Sequence, residues 1–275
     1  MEWRGGRRRR RFVLIAVIGA CVVAATVVVV NLWPHDTARP VDADEAVQRF
    51  RNSTTSAVVT APDTTIDEPD VATVPRPGVY EYRTTGSEWV DALGGTTHQY
   101  PPSTLLTVTA DGGCVSVRWD LLVERREEWR LCATDEGIEV QSNGAAYHEF
   151  YGSGRFEATT CDRSVLVVPL DGEPRVGEQL TCILGDHGWD PRWEVLGMTE
   201  LTVESTPITV THVRMTIAND DHYYEHTVVD WWLDEHGLPV RMTTTKESNS
   251  DSGVIGDVVY KETYQADLVS TTPLT

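Results

Sequence analysis

The most distinctive spacing of chemically active residues is His222-x-x-Glu225-His226. On a helix this spacing places two histidines on one face to bind Zn²⁺, while the glutamate activates a water molecule. Here the pattern runs directly into TVVDWWL, which is strand-like, and on a strand Glu225 points away from both histidines. We interpret the segment as a solvated strand face. His222 and His226 are weak candidates for metal binding beside Asp220 or Asp221, and no bound metal is predicted.

Other patterns that indicate catalysis are missing from the sequence. There is no G-x-S-x-G nucleophile elbow, no S-x-x-K, no Walker loop and no dinucleotide fingerprint. Acidic residues are too numerous for one pair to stand out as a glycosidase couple. The sequence therefore favours a protein that is not an enzyme and uses no cofactor. An enzyme with an unrecognised site is the remaining alternative.

Three candidate residues for binding a ligand or partner are Trp89, His98 and Tyr100, which fall between two predicted strands. The connection at residues 85–103 is 19 residues long and contains a Gly-Gly and a Pro-Pro pair. Connections of this length are uncommon in compact domains and often act as lids or binding loops. The segment is predicted to be a lid over a concave face or a packed surface loop.

A fourth candidate for ligand or partner contact is Trp232. On a strand, Trp231 shares a face with Val229 and Leu233, which predicts that Trp231 belongs to the core. Trp232 stands on the opposite face between two aspartates. An exposed indole flanked by carboxylates indicates a contact residue.

The cysteines indicate an exported domain. Beyond Cys21, the four cysteines are Cys114, Cys132, Cys161 and Cys182, an even number that predicts two disulfides in an oxidising compartment. Spacing alone allows three connectivities. Strand alternation places Cys114 and Cys132 on the polar faces of neighbouring strands, so we predict Cys114–Cys132 and Cys161–Cys182.

The apolar run at residues 12–33 predicts a transmembrane anchor. Its 22 uncharged residues form a helix of about 33 Å, enough for a bilayer core of about 30 Å. The Arg-rich residues 1–11 predict a cytoplasmic N-terminus, with the rest of the chain outside the cytoplasm. Two alternatives stay open: a signal peptide cleaved at Ala24-Ala25, and acylation of Cys21, which follows a lipobox-like Ile-Gly-Ala.

The charge of the chain excludes one class of partner. The sequence holds 42 acidic and 23 basic residues, but residues 1–11 contain six arginines and one glutamate. The remaining 264 residues carry 41 acids and 17 bases, a net charge of −24. Such a surface repels phosphates, so binding to nucleic acid is not expected.

Residues 34–76 are predicted to hold a short helix and a disordered linker. Asp42 is placed as the N-cap of a helix that ends near Arg51, with Glu45 at the capping-box position. From Ser53 to Arg76, 14 of 24 residues are Ser, Thr, Pro or Asp and none is aromatic. This composition buries too little apolar area to fold and is typical of a tether.

Residues 77–275 are predicted to form a β domain. Thirteen segments alternate between apolar and polar residues, and short turns separate them. Connections this short require antiparallel pairing. The expected fold is mainly β: a single antiparallel, strongly curved sheet or partial barrel of about 10–13 strands with few short helices.

The hairpin Asp230–Arg241, DWWLDEHGLPVR, resembles the W-L-D-x-x-G-L-P-V-R hairpin of LolA/LppX-type lipoprotein carriers. The resemblance covers about residues 200–270. The Arg-led anchor, the tether and the two cysteine pairs resemble uncharacterised membrane-anchored envelope proteins of actinobacteria. The resemblance implies a concave apolar face that holds a lipid or docks a partner, and it implies no catalytic residue.

These observations predict a non-catalytic, membrane-anchored, extracytoplasmic binding module. Its expected partners are the membrane, through residues 12–33, and an apolar ligand such as a lipid or an envelope protein. The alternative is a structural or accessory subunit of a cell-envelope assembly. A closed apolar cavity favours the first function, and an exposed apolar patch favours the second.

Overall fold

The computed structural model describes residues 38–54, 72–184, 187–220, 224–251 and 256–274. The predicted anchor and most of the predicted linker lie outside these ranges. Within them, no helix is both long and apolar enough to cross a membrane. The described residues belong to one compact unit that begins at Ala38, so the short helix and the sheet are parts of the same unit.

The described residues form one α-helix, one 3-10 turn and sixteen strands. The helix is α1 (Ala43–Thr54), and the 3-10 turn is Ala92–Gly94. The strands are β1 (Gly78–Val90), β2 (Thr96–Gln99), β3 (Ser103–Asp111), β4 (Cys114–Asp120), β5 (Arg125–Thr134), β6 (Gly137–Phe150), β7 (Ser153–Cys161), β8 (Val165–Pro169), β9 (Arg175–Gln179), β10 (Cys182–Leu184), β11 (His187–Trp189), β12 (Arg192–Val203), β13 (Thr206–Asn219), β14 (Glu225–Leu233), β15 (Pro239–Asp251) and β16 (Asp257–Leu268).

All the strands belong to a single antiparallel sheet, as predicted. Its order is β11-β10-β7-β6-β5-β4-β3-β1-β16-β15-β14-β13-β12-β9, with β2 also paired to β1 and β8 also paired to β6. The strands at the two ends, β11 and β9, do not pair with each other, so the sheet is not closed. Short connections between successive strands favour antiparallel pairing, because a parallel crossover needs a longer connection.

The thirteen predicted segments all lie on strands, but the predicted loop at residues 85–103 is wrong. Strand β1 continues to Val90 and β2 pairs back onto it. Gly86, at φ +136°, lets β1 pass close to β16, because a Cβ at this position would lie 2.1 Å from the carbonyl oxygen of Thr263. Gly86 therefore marks a close approach of two strands and does not end β1. The other two differences in strand number are small. Strand β11 is a short additional strand, and one predicted segment is divided into β9 and β10.

Helix α1 begins as its capping residues predict and covers one face of the sheet. The backbone N–H of Glu45 donates to Asp42 Oδ1 at 3.0 Å, which satisfies one of the free donors of the first turn. Ala46 packs against Val79 of β1 and Leu105 of β3, and all three are buried. We call the opposite face of the sheet the inner face.

The main core lies on the inner face. Tyr82 of β1 packs edge-on against Trp119 of β4, with ring centroids 4.8 Å apart. The Tyr82 hydroxyl donates to the carbonyl oxygen of Pro239 at 2.5 Å. Each large apolar side chain buried here contributes about 1.5–3 kcal/mol to folding. Further members of this core are Leu106, Val117, Leu131, Ile138, Val213, Met242 and Ala266.

Both predicted disulfides are confirmed. Cys114 and Cys132 face each other across β4 and β5, with Cα atoms 4.3 Å apart. Cys161 and Cys182 face each other across β7 and β10, with Cα atoms 3.9 Å apart. The second bridge fastens the short strand β10, which has only three residues, to the rest of the sheet.

We expect each disulfide to stabilise the fold by restricting the unfolded chain. The bridges close loops with sequence separations of 18 and 21 residues. For loops of this size, replacing both cysteines of one pair with serine should lower the free energy of unfolding by about 3 kcal/mol. Denaturant unfolding of the two double variants measures the loss. An unchanged unfolding midpoint in either variant would contradict this account of that bridge.

Candidate functional site

The inner face contains a cavity of about 220 Å³ that is partly open to solvent. Its walls are mostly apolar, and four tryptophans contribute to them. The rings of Trp193 and Trp231 stack in parallel, with centroids 5.1 Å apart. The aromatic and aliphatic side chains at this apolar end are Trp189, Trp193, Met215, Ile217, Val229 and Trp231.

The strand register places these apolar residues together. Trp193 of β12 pairs with Met215 of β13, and Met215 pairs with Val229 of β14. Trp231 lies two residues further along β14, on the same face as Val229 and Leu233. Trp231 is therefore part of the cavity wall, partly exposed, whereas Val229 and Leu233 are buried.

Two residues further along the strands, the inner face becomes polar. Thr227, Lys246, Glu262, Glu88 and His98 are successive register partners on β14, β15, β16, β1 and β2. Glu262, Glu88 and His98 are each no more than 2% exposed. Burying several ionisable groups is costly unless they are paired. Arg125 of β5 and His148 of β6 are among their partners.

Arg125 of β5 provides the central pairing. Its Nε and Nη2 atoms donate to the two carboxylate oxygens of Glu262 at 3.2 and 3.1 Å, and Nη2 also pairs with the Glu127 carboxylate. Burial alone would lower the pKa of Arg125, but Glu262 and Glu127 raise this pKa well above its ordinary value. Arg125 and Glu262 are both 2% exposed, yet three strands lie between β5 and β16.

Glu88 is the second centre of the polar end. One of its oxygens lies 2.8 Å from His98 Nδ1, and the other accepts a hydrogen bond from the Tyr260 hydroxyl at 2.8 Å. His148 Nδ1 approaches the same carboxylate at 3.8 Å. Burial acts to raise the pKa of Glu88, but His148 and His98 outweigh it and lower the pKa to about 2. Burial, followed by Arg125, lowers the pKa of His148.

Two of the sequence-predicted binding residues belong to this network. His98 is 1% exposed and stacks on Phe150 at 4.6 Å, and Tyr100 donates to Glu262 at 2.5 Å. Neither lies on a lid. The pairing of β2 with β1 turns them onto the inner face, where they satisfy buried carboxylates.

The other two predicted binding residues, Trp89 and Trp232, lie away from the cavity. Trp89 is half-buried beside Gly95. Trp232 is also half-buried and stacks on His212, with ring centroids 4.4 Å apart. Asp230, one of the two aspartates that flank Trp232, is buried and accepts hydrogen bonds from His212 and Arg214. The cavity therefore excludes both tryptophans from its walls.

The predicted weak metal ligands do not form a site in the described part of the chain. His222 lies outside the described residues. His226 Nε2 lies 3.0 Å from Asp220 Oδ1, and both side chains are well exposed. Among the described residues, no group of three or more His, Cys, Asp or Glu side chains is arranged to hold a metal ion.

The comparisons with known proteins find no similar protein. The chain matches no protein-family model, no curated protein and no solved structure. The resemblance to lipoprotein carriers therefore stays a prediction.

We expect Glu88 to make the stability of the protein depend on acid pH. Its pKa falls from an ordinary 4.5 to about 2 on folding, so its contribution is present above pH 4.5 and is lost as the pH falls through 2. This contribution is roughly 3 kcal/mol. Glu88→Gln should lose stability at pH 7 and show a flatter decline between pH 5 and pH 2 than the wild type.

The control for this experiment is Glu200→Gln, which removes an exposed carboxylate from β12. Chemical denaturation at a series of pH values measures all three proteins. Parallel curves for the wild type and Glu88→Gln would contradict the assigned role of Glu88.

Proposed function

We propose that the protein is a non-catalytic binding module that holds a small apolar molecule in the inner-face cavity. The observation that carries the proposal is the cavity itself: about 220 Å³ of space walled by stacked tryptophans and aliphatic side chains. Pockets of this character, mostly apolar with a few convergent polar groups, are the usual sites of small-molecule binding. The carboxylates that line it are held in ion pairs with arginine side chains and with Lys246, so we assign them to recognition and not to a reaction.

The volume limits the size of the ligand. At about 30 Å³ for each water-sized group, 220 Å³ accommodates roughly seven heavy atoms. This is enough for a short alkyl chain or a single ring with a substituent. A longer lipid would place only one end inside, with the rest extending through the open side. The proposed ligand is therefore a short molecule, or the short apolar end of a longer one.

We infer that the sheet is strongly curved, as a half-open barrel would be. Four strand spacings of about 4.8 Å separate β5 from β16, a distance of about 19 Å in a flat sheet. The contact between Arg125 and Glu262 spans these strands, and two side chains cannot cover that distance across a flat surface. This contact supports the curvature that the resemblance to lipoprotein carriers implies.

We further propose that the binding module is anchored in the cell membrane through residues 12–33 and lies outside the cytoplasm. The two disulfides support this location, because such bridges persist in oxidising compartments and are rare in the cytosol. The Arg-rich residues 1–11 followed by the apolar run support the same orientation.

A second candidate function, an accessory subunit of an envelope assembly, is favoured by one observation. Val176 of the end strand β9 is 84% exposed, and Met198 on the neighbouring β12 is 59% exposed. Exposed apolar side chains at the edge of a sheet can dock a partner protein. Docking at this edge does not require an open cavity, so a ligand titration distinguishes the two functions.

The test uses 1-hexanol, a neutral ligand of seven heavy atoms, and the full-length protein in lipid nanodiscs. We expect hexanol to shift the indole N–H resonances of Trp193 and Trp231, with Trp89 unaffected because it lies outside the cavity. Ala146→Phe adds a ring to the cavity wall and should abolish these shifts.

The matched control is Ala158→Phe, the same change at an exposed position of β7. It should bind hexanol as the wild type does. Equal binding by both variants, or no shift in the wild type, would contradict the proposed function.

A further inference from the structure

We propose that the molecule held in the cavity is an amphipathic monocation, with its apolar part against the tryptophans and its ammonium group at the polar end. This inference rests on the proposed function and adds the charge of the ligand. It is carried by the arrangement of the carboxylates, by a buried hydroxyl that makes no hydrogen bond of normal geometry and by the spacing between the polar and apolar rows.

The carboxylates at the polar end outnumber the cations that neutralise them. Glu127, Glu225 and Glu262 line the cavity, and their cationic partners are Arg125 and Lys246. One negative charge is therefore left over at the cavity wall.

The remaining charged residues around the cavity do not remove this excess. Arg163 is about half exposed and pairs with Asp162 and Glu178. Glu128 pairs with Arg118 and Arg126. Behind the wall, Glu88 adds a further carboxylate, and burial followed by Arg125 lowers the pKa of the nearby His148, which favours its neutral form.

Glu127 is the carboxylate best placed to accept from a ligand. Glu127 and Glu262 both pair with Arg125, so the guanidinium does not occupy all acceptor positions of the Glu127 carboxylate. Its side chain is 34% exposed, and it lines the cavity. Burial acts to raise its pKa, but Arg125 lowers it overall, which keeps the carboxylate ionised at neutral pH.

A buried hydroxyl in the cavity wall provides an independent indication of a polar ligand group. Thr244 is 6% exposed and lines the cavity. Its buried Oγ1 atom makes no hydrogen bond of normal geometry among the described residues, although the Tyr264 side chain is close enough to interact with it. An unsatisfied buried polar atom is unfavourable, and a ligand donor would relieve this cost.

Thr244 lies where the two ends of the cavity meet. It pairs in register with Val229 on one side and Tyr264 on the other. The polar row through Lys246 and Glu262 lies two residues further along the strands, about 7 Å away. An ammonium group between the two rows can donate to both Thr244 and a carboxylate, while its alkyl chain extends towards the tryptophans.

The same arrangement disfavours the other ligand charges. A carboxylate ligand would face Glu127 and Glu225 in a partly enclosed site, where like charges repel each other. A neutral alcohol would fit the apolar end but leave the excess charge uncompensated. The stacked tryptophans also favour cations, because their ring faces attract positive charge.

The experiment compares hexylammonium, 1-hexanol and hexanoate, which have similar size and different charge. Binding to the full-length protein in nanodiscs is followed by the indole resonances of Trp193 and Trp231, and empty nanodiscs correct for partition into the bilayer. We expect hexylammonium to bind about tenfold more tightly than hexanol, since a charge-assisted hydrogen bond is gained. Hexanoate should bind more weakly than hexanol.

Three variants assign the effect to the cavity charges. Glu127→Gln should remove most of the preference for hexylammonium over hexanol, while Glu139→Gln, with the same change of charge on β6 outside the cavity, should retain it. Lys246→Gln removes a cavity cation and should strengthen the binding of hexylammonium, a gain that misfolding cannot produce.

The outcomes separate this inference from the proposed function. If hexanol binds and hexylammonium binds no more tightly, the assigned ligand charge is wrong while the binding function stands. The same conclusion follows if Glu127→Gln and Glu139→Gln behave alike, or if Lys246→Gln weakens the binding of hexylammonium. If none of the three compounds binds, both proposals fail.

Discussion

The ion pair between Arg125 and Glu262 is the constraint on which the inner face depends. Each of these groups is buried and would be costly alone, so their strands must approach closely enough for the pair to form. The two strands are separated by three others in the sheet. Meeting this requirement brings β5 and β6 towards β1 and β16, and Glu88, His98 and Tyr100 then find their partners in the same region.

The polar end and the apolar end of the cavity are consequences of the same register. The polar row through Lys246 and the apolar row through Met215 lie two residues apart along the strands. The polar row is occupied by interacting side chains. In the apolar row, Trp193 and Trp231 stack on each other, and the space beside them is the cavity. The proposed binding module uses both ends.

Much of the fold could be predicted from the sequence, because alternation, capping and turns act locally. The N-cap of α1, the strand segments and the disulfides are of this kind. The charged end of the cavity could not be predicted. In the sequence, nothing distinguishes Arg125 from a solvent-exposed arginine, because its partner lies on β16 and only the folded sheet brings the two together. One local signal existed: Glu262 alternates in phase with Tyr264 and Ala266, both on the inner face. Similarly, Gly86 falls in the predicted loop at residues 85–103, because its close approach to β16 is a tertiary contact that the sequence does not show.

The most direct test of the central claim, that the inner face holds an apolar cavity, is a crystal structure of the protein under xenon pressure. Xenon occupies dry apolar cavities and requires no particular ligand charge. The account predicts a xenon site in contact with Met215 and Val229, beside the stacked Trp193 and Trp231. A cavity filled by side chains, with no xenon between these residues, would contradict it.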